Sequence, residues 1–324
     1  MTESDLLIVK NLTKRFPVGR GFFRKPGAFV QAADRVSFSI KRGETLGLVG
    51  ESGCGKTTLG RCVVRLEEPT SGEVIFDQKD ITSLDRSALR KARGDMQMVF
   101  QDPFSSIDPR KKVQAIIGEG FDIQKAIPRK EREERIGFLM ETVGLLPEHA
   151  NRYPHEFSGG QRQRICVARA LALQPKLVIA DEPVSALDVS IQAQILNLFI
   201  TLQDRFKLTY LFISHDLSVV RHISDRVAVM YLGRIVEVSP SAELFEHPLH
   251  PYTFALISAI PVANPLKVRR NEPLPGDVPS PINPPPGCTF HPRCRRAEKR
   301  CRHEAPALRE MESGHLVACH FPRV

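Results

Sequence analysis

Short apolar runs separated by segments of helical periodicity make up most of this chain. Thr45–Val49 is one such run, and the residues from Lys56 to about Arg65 have the pattern of a helix. Strands that alternate with helices favour parallel pairing, so the sequence predicts an α/β fold with a mostly parallel sheet covered on both faces. The runs predicted to form strands are Leu6–Val9, Val36–Ile40, Thr45–Val49, Leu177–Ala180, Thr209–Ile213 and Val227–Tyr231.

The middle of the chain has a different pattern. Val113–Ala126, Arg129–Val143 and Gln161–Leu173 have helical spacing, and no run typical of a strand lies between them. We therefore expect a helical subdomain, at about residues 102–170, inserted into the sheet domain. The segment 262–287 is rich in proline and glycine, which disfavour the interiors of helices and strands, so it predicts an irregular connection.

The composition is typical of a globular protein, with 42% hydrophobic and 26% charged residues among 324. No window approaches the roughly 18 consecutive apolar residues of a membrane-spanning helix, and the N-terminus lacks a secretory signal. We therefore expect a cytosolic chain whose membrane role would come through a partner. The net charge of +9 comes from scattered Lys and Arg residues, which favours a solvated exterior over a surface for nucleic acid or anionic lipid.

The loop Gly50–Thr57, called the phosphate loop below, matches G-x-x-x-x-G-K-[ST], a pattern that binds a nucleoside triphosphate. Its glycines allow successive backbone N–H groups to point at the phosphates, and the helix that follows adds its positive dipole end. Lys56 can reach the terminal phosphates, and the Thr57 hydroxyl can bind Mg²⁺. The predicted nucleotide-binding residues here are Gly50, Glu51, Ser52, Gly53, Cys54, Gly55, Lys56, Thr57 and Thr58.

Three of the seven cysteines, Cys54, Cys62 and Cys166, come before the proline-rich segment. Cys54 lies inside the phosphate loop, at the N-terminal end of a predicted helix, where a thiolate is favoured. We therefore expect alkylation of Cys54 to block ATP binding, and Mg-ATP to protect the thiol.

Two further segments suit a bound triphosphate. Asp181 ends an apolar strand, where its carboxylate can hold Mg²⁺, and Glu182 follows directly. Taken alone, adjacent acids could instead cap a turn. The segment Ser158–Gln161 opens a predicted helix, so its backbone N–H groups can form a second anion cradle.

Taken together, Gly50–Thr57, Phe157–Arg164 and Val178–Glu182 resemble the ATP-binding-cassette (ABC) ATPases. The resemblance implies an ABC-type α/β fold with a RecA-like parallel core, an antiparallel β part and an inserted helical subdomain. It implies that the chain hydrolyses ATP with Mg²⁺, and that a second cassette completes the active site. In that arrangement the segment Ser158–Gln161 contacts the γ-phosphate bound to the opposite cassette.

The same resemblance implies roles for single residues. Glu182 would polarise the attacking water, and His215, which follows an apolar strand, would contact the terminal phosphate. Gln101 would orient water or Mg²⁺, and Asp188 would lie between paired cassettes. The implied catalytic residues are Glu182, His215, Gln101 and Lys56, the implied Mg²⁺ ligands are Thr57, Gln101 and Asp181, and the residues of the second cradle are Ser158, Gly159, Gly160 and Gln161.

An aromatic side chain that stacks on adenine needs only a π face, which phenylalanine provides. Phe16 is the best candidate in this chain, and Phe29 is its rival. Phe16 could also be a core residue beneath the first strand. We predict that Phe16 stacks on the base.

Three more stretches narrow the resemblance to the dipeptide and oligopeptide importers: Asn151–Phe157, Asp181–Ser190 and His247–Thr253. It implies an ABC ATPase domain at residues 1–245 and an extension typical of the subfamily at 246–324. It also implies a second, homologous ATPase subunit in a heterodimer, two transmembrane permease subunits, and an external peptide-binding protein that acts indirectly. The chain would then lie at the cytoplasmic face of the membrane.

Other functions stay open at this point. A related importer could carry nickel or another small solute, because the transported molecule does not touch this subunit. A nucleic-acid-associated ABC ATPase is less well supported, since the sequence has no long coiled coil, tandem cassette or zinc knuckle inside the cassette. A non-enzymatic regulator would be expected to lack Lys56, Glu182 or His215, and all three are present.

Four cysteines follow the proline-rich segment, at Cys288, Cys294, Cys301 and Cys319. A cytosolic location disfavours disulfides, and little apolar sequence is available to build a core there, so a metal is expected to hold the region together. The importer resemblance implies a [4Fe–4S] cluster. Zinc and free thiols remain alternatives, although the short Cys-x2-Cys pairs usual for zinc are missing.

Overall fold

The computed structural model describes residues 5–18, 27–124, 127–260 and 274–323. Its strands form two sheets, one of four strands and one of eight. The strands are β1 Asp5–Val18, β2 Ala28–Lys41, β3 Thr45–Val49, β4 Ser71–Phe76, β5 Lys79–Asp80, β6 Met96–Val99, β7 Leu177–Asp181, β8 Thr209–Ser214, β9 Arg226–Tyr231, β10 Arg234–Pro240, β11 Arg309–Glu312 and β12 His315–Val317.

The larger sheet has the strand order β11-β12-β10-β9-β3-β8-β7-β6, and its members from β9 to β6 pair in parallel. The smaller sheet, in the order β2-β1-β4-β5, is antiparallel. Strands β3, β7 and β8 are buried along their whole length, as expected when both faces of a parallel sheet are covered. The predicted α/β architecture is therefore confirmed.

Sequence analysis predicted only half of these strands. The two that begin the chain are longer than expected, because polar residues and shifts of register interrupt their alternating pattern. The missed strands are short or polar, so their apolar signal is weak. They are β4, β5, β6, β10, β11 and β12.

Helices surround the sheets. They are α1 Lys56–Val63, α2 Arg86–Asp95, α3 Pro103–Ser106, α4 Val113–Ile117, α5 Glu119–Gln124, α6 Arg129–Thr142, α7 Gly159–Leu171, α8 Val189–Phe206, α9 Leu217–Ile223, α10 Ser241–Glu246, α11 Pro251–Ser258 and α12 Lys299–His303. Among the described residues, none of them combines the length and the apolar character that crossing a membrane requires.

The described residues between β6 and β7 contain helices α3 to α7 and no strand. The single helix predicted for Val113–Ala126 is wrong, because two helices meet at Gly118 instead. Glycine weakens a helix, which gives the break at Gly118 a local cause. Ala126 itself lies outside the described residues.

Two hydrophobic clusters lie on opposite faces of the larger sheet. Along β7, Val178 and Ala180 belong to one cluster, while Leu177 and Ile179 belong to the other. This separation follows from the two-residue period of a strand. The first cluster continues into the helical region, and the second is shared with the antiparallel sheet.

The C-terminal extension is joined to the larger sheet rather than separate from it. Strand β12 pairs with β10, with Glu237 opposite Val317. Two of its aromatic residues, Tyr252 and Phe290, belong to the same hydrophobic cluster as the helical region. Of the proline-rich segment, residues 262–273 lie outside the described residues, and residues 274–287 form no helix or strand.

Candidate nucleotide-binding site

The phosphate loop connects the end of β3 to the start of α1. Gly53 and Gly55 have φ values of 76° and 107°, which favour glycine over other residues. A side chain at Gly55 would also overlap the carbonyl oxygen of Ala32. The glycine at this position is therefore required by the backbone conformation and by the close approach of β2.

Lys56 begins α1 and is only 4% exposed. Its ammonium donates hydrogen bonds to the carbonyl oxygens of Gly50 and Glu51, at 2.8 and 3.0 Å. The cation is thus held by the curve of the loop, beside the N-terminal end of the helix. Both features favour an anion at this position.

Thr57 and Asp181 meet across the end of the sheet. The Thr57 hydroxyl donates to Asp181 Oδ1 at 2.9 Å. Burial raises the pKa of the Asp181 carboxyl, and the hydrogen bond from Thr57 opposes that rise. A hydroxyl and a carboxylate are ligands that suit Mg²⁺, and a bound divalent cation would favour the ionised carboxylate.

The side chains of Gln101 and His215 both contact the carboxylate of Glu182. Gln101 Nε2 donates to Glu182 Oε2 at 2.9 Å, and His215 Nδ1 lies 3.1 Å from the same oxygen. Glu182 has a φ of 46°, a conformation that costs free energy for a residue with a side chain. The three residues follow β6, β7 and β8, so the carboxyl ends of neighbouring strands bring them together.

Most of these groups line one cavity of 580 Å³, although the predicted site residues Gly50, Glu51 and Asp181 are not part of its wall. Phe16 lies in its wall, and Lys14 Nζ is 4.6 Å from the centroid of the Phe16 ring. Phe29 is 44% exposed and does not line the cavity. Predicted site residues in the wall are Phe16, Ser52, Gly53, Cys54, Gly55, Lys56, Thr57, Thr58, Gln101, Glu182 and His215.

Sequence analysis missed part of this wall. The unpredicted residues come from the start of β2, from the turn between β9 and β10, and from the extension. The Gln31 backbone N–H donates to the carbonyl oxygen of Pro281 at 3.0 Å, which joins two of these segments. No local motif identifies them, because only the fold brings them together. They are Val30, Gln31, Ala32, Leu232, Gly233 and Pro281.

The segment Ser158–Gln161 lies outside this cavity. Ser158 caps α7, where its hydroxyl accepts from the Gln161 N–H at 3.3 Å and the Gln161 side chain accepts from the Ser158 N–H at 3.0 Å. Asp188 likewise caps α8 and is not in the wall. The structure therefore places these predicted nucleotide-binding residues away from the nucleotide cavity of their own chain.

The thiolate predicted for Cys54 is wrong. The side chain is 3% exposed, and burial raises the pKa of the thiol above its usual value, although nearby Lys56 opposes the rise. The Lys56 ammonium lies 3.8 Å from Cys54 Sγ. Removal from water thus outweighs the favourable charge and the helix end, and the thiol stays protonated at neutral pH.

The four C-terminal cysteines are free thiols that line one small cavity. Among the described residues, no three of their sulfur atoms all lie within 4.8 Å of one another. Thiolates on a single tetrahedral zinc would be about 3.8 Å apart. Four thiols that share one cavity are a donor set that either an iron–sulfur cluster or zinc can use. Burial raises the pKa of Cys288 to about 11, so a cation would be needed to hold it as a thiolate.

Two family models match the chain. Residues 33–185 match the model described as ABC transporter, and residues 236–301 match the oligopeptide/dipeptide transporter C-terminal region. The chain is 54% identical over 322 residues to the oligopeptide transport ATP-binding protein AppF of Bacillus subtilis, covering 98% of each chain. It is 51% identical over 317 residues to the dipeptide transport ATP-binding protein DppF of Haemophilus influenzae, covering 98% of this chain and 97% of that one.

Solved structures agree with this similarity. The dimeric post-hydrolysis state of the ATP-binding cassette MJ0796, bound to ADP and phosphate, superposes with a TM-score of 0.64 and 29% identity. The match covers 72% of this chain and 98% of that one. CbiO1 of Clostridium perfringens gives the same TM-score at 27% identity, over 75% of this chain and 92% of its own.

Proposed function

The chain belongs to the ATP-binding subunits of the oligopeptide and dipeptide ABC transporters, and from that premise we propose that it powers the uptake of dipeptides or oligopeptides through membrane permeases. As a member of the ABC ATPases, it is an ATP-hydrolysing transporter subunit. Peptides are the solute because the relatives named for peptide transport match almost the whole chain, including the extension.

One observation carries the catalytic part of the proposal, namely the convergence of Gln101 and His215 on one oxygen of Glu182, beside the phosphate loop. A carboxylate there can polarise a water molecule toward the terminal phosphate. His215 can donate to that phosphate, and Gln101 can orient the water. Lys56 can offset the charge that develops on the phosphate oxygens.

We assign the Mg²⁺ site to Thr57, Asp181 and Gln101. Thr57 Oγ1 and Asp181 Oδ1 already lie 2.9 Å apart. Gln101 lies at the same end of the sheet, where its Nε2 donates a hydrogen bond to Glu182. When bound, Mg²⁺ neutralises charge on the phosphates. The residues of this chain orient the phosphate through the loop.

A second cassette completes the site in this proposal. The capping box uses the backbone N–H groups of Ser158 and Gln161, so those of Gly159 and Gly160, at the start of α7, are the ones proposed to meet a phosphate. This segment and Asp188 both lie outside the nucleotide cavity of their own chain. Such a surface is available to the nucleotide of another cassette. We expect the partner to be a second, homologous ATPase subunit in a heterodimer.

The other partners follow from the function. Two transmembrane permease subunits would bind this chain at the cytoplasmic face of the membrane, and an external binding protein would deliver the peptide. No nucleic acid is expected. The alternative is a related importer for nickel or another small solute. Uptake of a labelled dipeptide and of nickel by the assembled transporter distinguishes the two.

We divide the chain into an ABC ATPase domain, residues 1–245 with a helical subdomain at about 102–170, and an extension, residues 246–324. We propose that Cys288, Cys294, Cys301 and Cys319 hold a [4Fe–4S] cluster, with Zn²⁺ as the alternative. The cavity that all four cysteines line supports the proposal that they hold one shared group. Protein purified without air should be coloured and contain iron and sulfide. A colourless, iron-free sample would remove the cluster.

The catalytic assignment is tested with Glu182→Gln in the transporter reconstituted in vesicles, with the partner ATPase disabled. Loss of the carboxylate should reduce ATP turnover and peptide uptake at least a hundredfold, while ATP still binds. Glu148→Gln changes an exposed glutamate that is not part of the cavity wall, and it is the matched control. Uptake at the full rate in Glu182→Gln would refute the assignment.

A further inference from the structure

The extension contacts the phosphate loop directly, at Glu51. Arg293 donates from both of its terminal nitrogens to the two carboxylate oxygens of Glu51, at 2.7 and 3.0 Å. The Tyr252 hydroxyl accepts a hydrogen bond from the Glu51 backbone N–H at 3.0 Å. The side chain and the backbone of one loop residue are therefore both held by residues of the extension.

These contacts are buried. Arg293 is 6% exposed and Tyr252 is fully buried, while the Glu51 side chain is partly exposed. A two-pronged contact between arginine and a carboxylate fixes the orientation of both groups. Side chains held in this way lose little further freedom when a ligand binds, so the loop is organised before ATP arrives.

The region of the four cysteines positions Arg293. The short 3-10 helix His291–Arg293 lies between Cys288 and Cys294, and the His291 N–H donates to the Cys288 carbonyl oxygen at 3.0 Å. Phe290, at the start of this turn, packs against the ring of Tyr252 with centroids 5.4 Å apart. The same turn therefore supports both contacts with Glu51.

The ion pair between Arg293 and Glu51 also compensates a negative charge in the phosphate loop. A carboxylate in a loop that binds a triphosphate repels the phosphates unless a cation compensates it. The contact of Lys56 Nζ with Glu51 is to its backbone carbonyl oxygen, whereas Arg293 contacts the carboxylate itself. Arg293 thus provides the direct compensation for this charge.

We propose that Arg293 and Tyr252 are positioning residues of the nucleotide site, so that the folded extension sets the affinity of this chain for ATP. The proposal rests on the proposed function in one respect, that the phosphate loop binds ATP. It goes further because it makes the cysteine-rich extension a determinant of nucleotide binding. Unfolding of the extension then weakens ATP binding without any change in the catalytic residues.

Binding of a fluorescent ATP analogue to the full-length chain tests the proposal. Arg293→Gln should weaken binding about tenfold, within the usual range for coupling between sites. Arg300→Gln should leave affinity unchanged, because Arg300 pairs with Glu304 on the surface of the same extension. Equal affinity of wild type and Arg293→Gln would overturn the proposal. No binding by wild type would instead refute the proposed function.

A double variant shows whether Arg293 compensates the charge of Glu51 or only helps the extension to fold. Glu51→Gln in the Arg293→Gln background should recover most of the lost affinity, because the unpaired carboxylate is then gone. If Arg293 served only to fold the extension, the second change would restore nothing, and that result would overturn the proposal. The thermal midpoint of each variant shows whether the extension stays folded.

Tyr252→Phe provides a test that keeps the ring packing. Hydrogen exchange of the Glu51 amide should become faster in this variant, and ATP should bind about twofold more weakly. The amide of Leu59, in the middle of α1, is the internal control. Unchanged exchange at Glu51 would contradict the role assigned to Tyr252.

Discussion

The phosphate loop and the C-terminal extension meet at Glu51, but their structures are determined in different ways. The loop owes its shape to glycines at fixed spacing, with Gly55 required by its φ of 107°. The extension depends on contacts with distant strands and helices. A short sequence motif therefore predicts the shape of the phosphate loop, whereas only the fold reveals how the extension is held.

Glu237 shows how the extension is held. It lies on β10 of the ATPase sheet and is fully buried. Its carboxylate accepts from the backbone N–H groups of Leu249 and His250, at 2.7 and 3.0 Å, and Oε1 lies 2.7 Å from His315 Nε2. One buried acid thus ties the beginning and the last hairpin of the extension to the sheet.

The largest expected effect comes from the loop. Gly55→Ala should destabilise the protein by about 3 kcal/mol or more, since strained backbone and steric overlap act together, and should abolish ATP binding. Chemical denaturation and nucleotide titration measure the two effects. Gly137→Ala, in a helix with open space around the glycine, should be neutral or stabilising. A Gly55→Ala protein with normal stability and affinity would contradict the requirement for glycine at this position.

The extension should instead respond to pH. Burial lowers the pKa of His250 to about 4, although nearby Glu237 opposes this. The neutral ring is favoured in the folded state, so its contribution is complete above the unfolded value of about 6.5 and is lost as pH falls toward 4. The loss should reach roughly 3 kcal/mol.

His250→Asn isolates that effect, since asparagine can still cap α11. The free energy of unfolding of wild type should fall more steeply than that of the variant between pH 6.5 and about 4. Parallel curves would show that His250 does not titrate on unfolding.

Phe16 should have a moderate effect on the nucleotide site. Removal of its ring in Phe16→Ala should weaken ATP binding by about 1–3 kcal/mol, the range for stacking of a base on an aromatic ring. Phe29→Ala should change affinity little, because that ring lies outside the cavity wall. A larger loss for Phe29→Ala, measured by the same titration, would reverse the assignment.

The smallest effect is expected at Cys54. Because its thiol is buried and its pKa is raised, folded protein at pH 7 should be alkylated there more slowly than N-acetylcysteine. Mass spectrometry of the loop peptide measures the rate, and unfolded chain is the control. Rapid labelling of the folded protein would instead support the thiolate that the sequence predicted at Cys54.

Particular residues show what could be predicted from the sequence. The phosphate loop, Glu182 and His215 lie directly after apolar runs, so their meeting at one edge of a parallel sheet follows from the order of strands. Pro281 and Gln31 could not be predicted as neighbours, because 250 positions separate them along the chain. The burial of Cys54 also depends on surrounding elements. That burial raises the pKa of the thiol more than the nearby helix end lowers it.

ATP turnover by the assembled transporter, with Ser158→Arg in this chain, tests most directly whether two cassettes share one active site. We predict that the isolated variant binds ATP normally, because Ser158 lies outside its own nucleotide cavity, while turnover at the partner's nucleotide falls at least a hundredfold. Normal turnover in a complex whose two cassettes both carry this change would contradict the shared site.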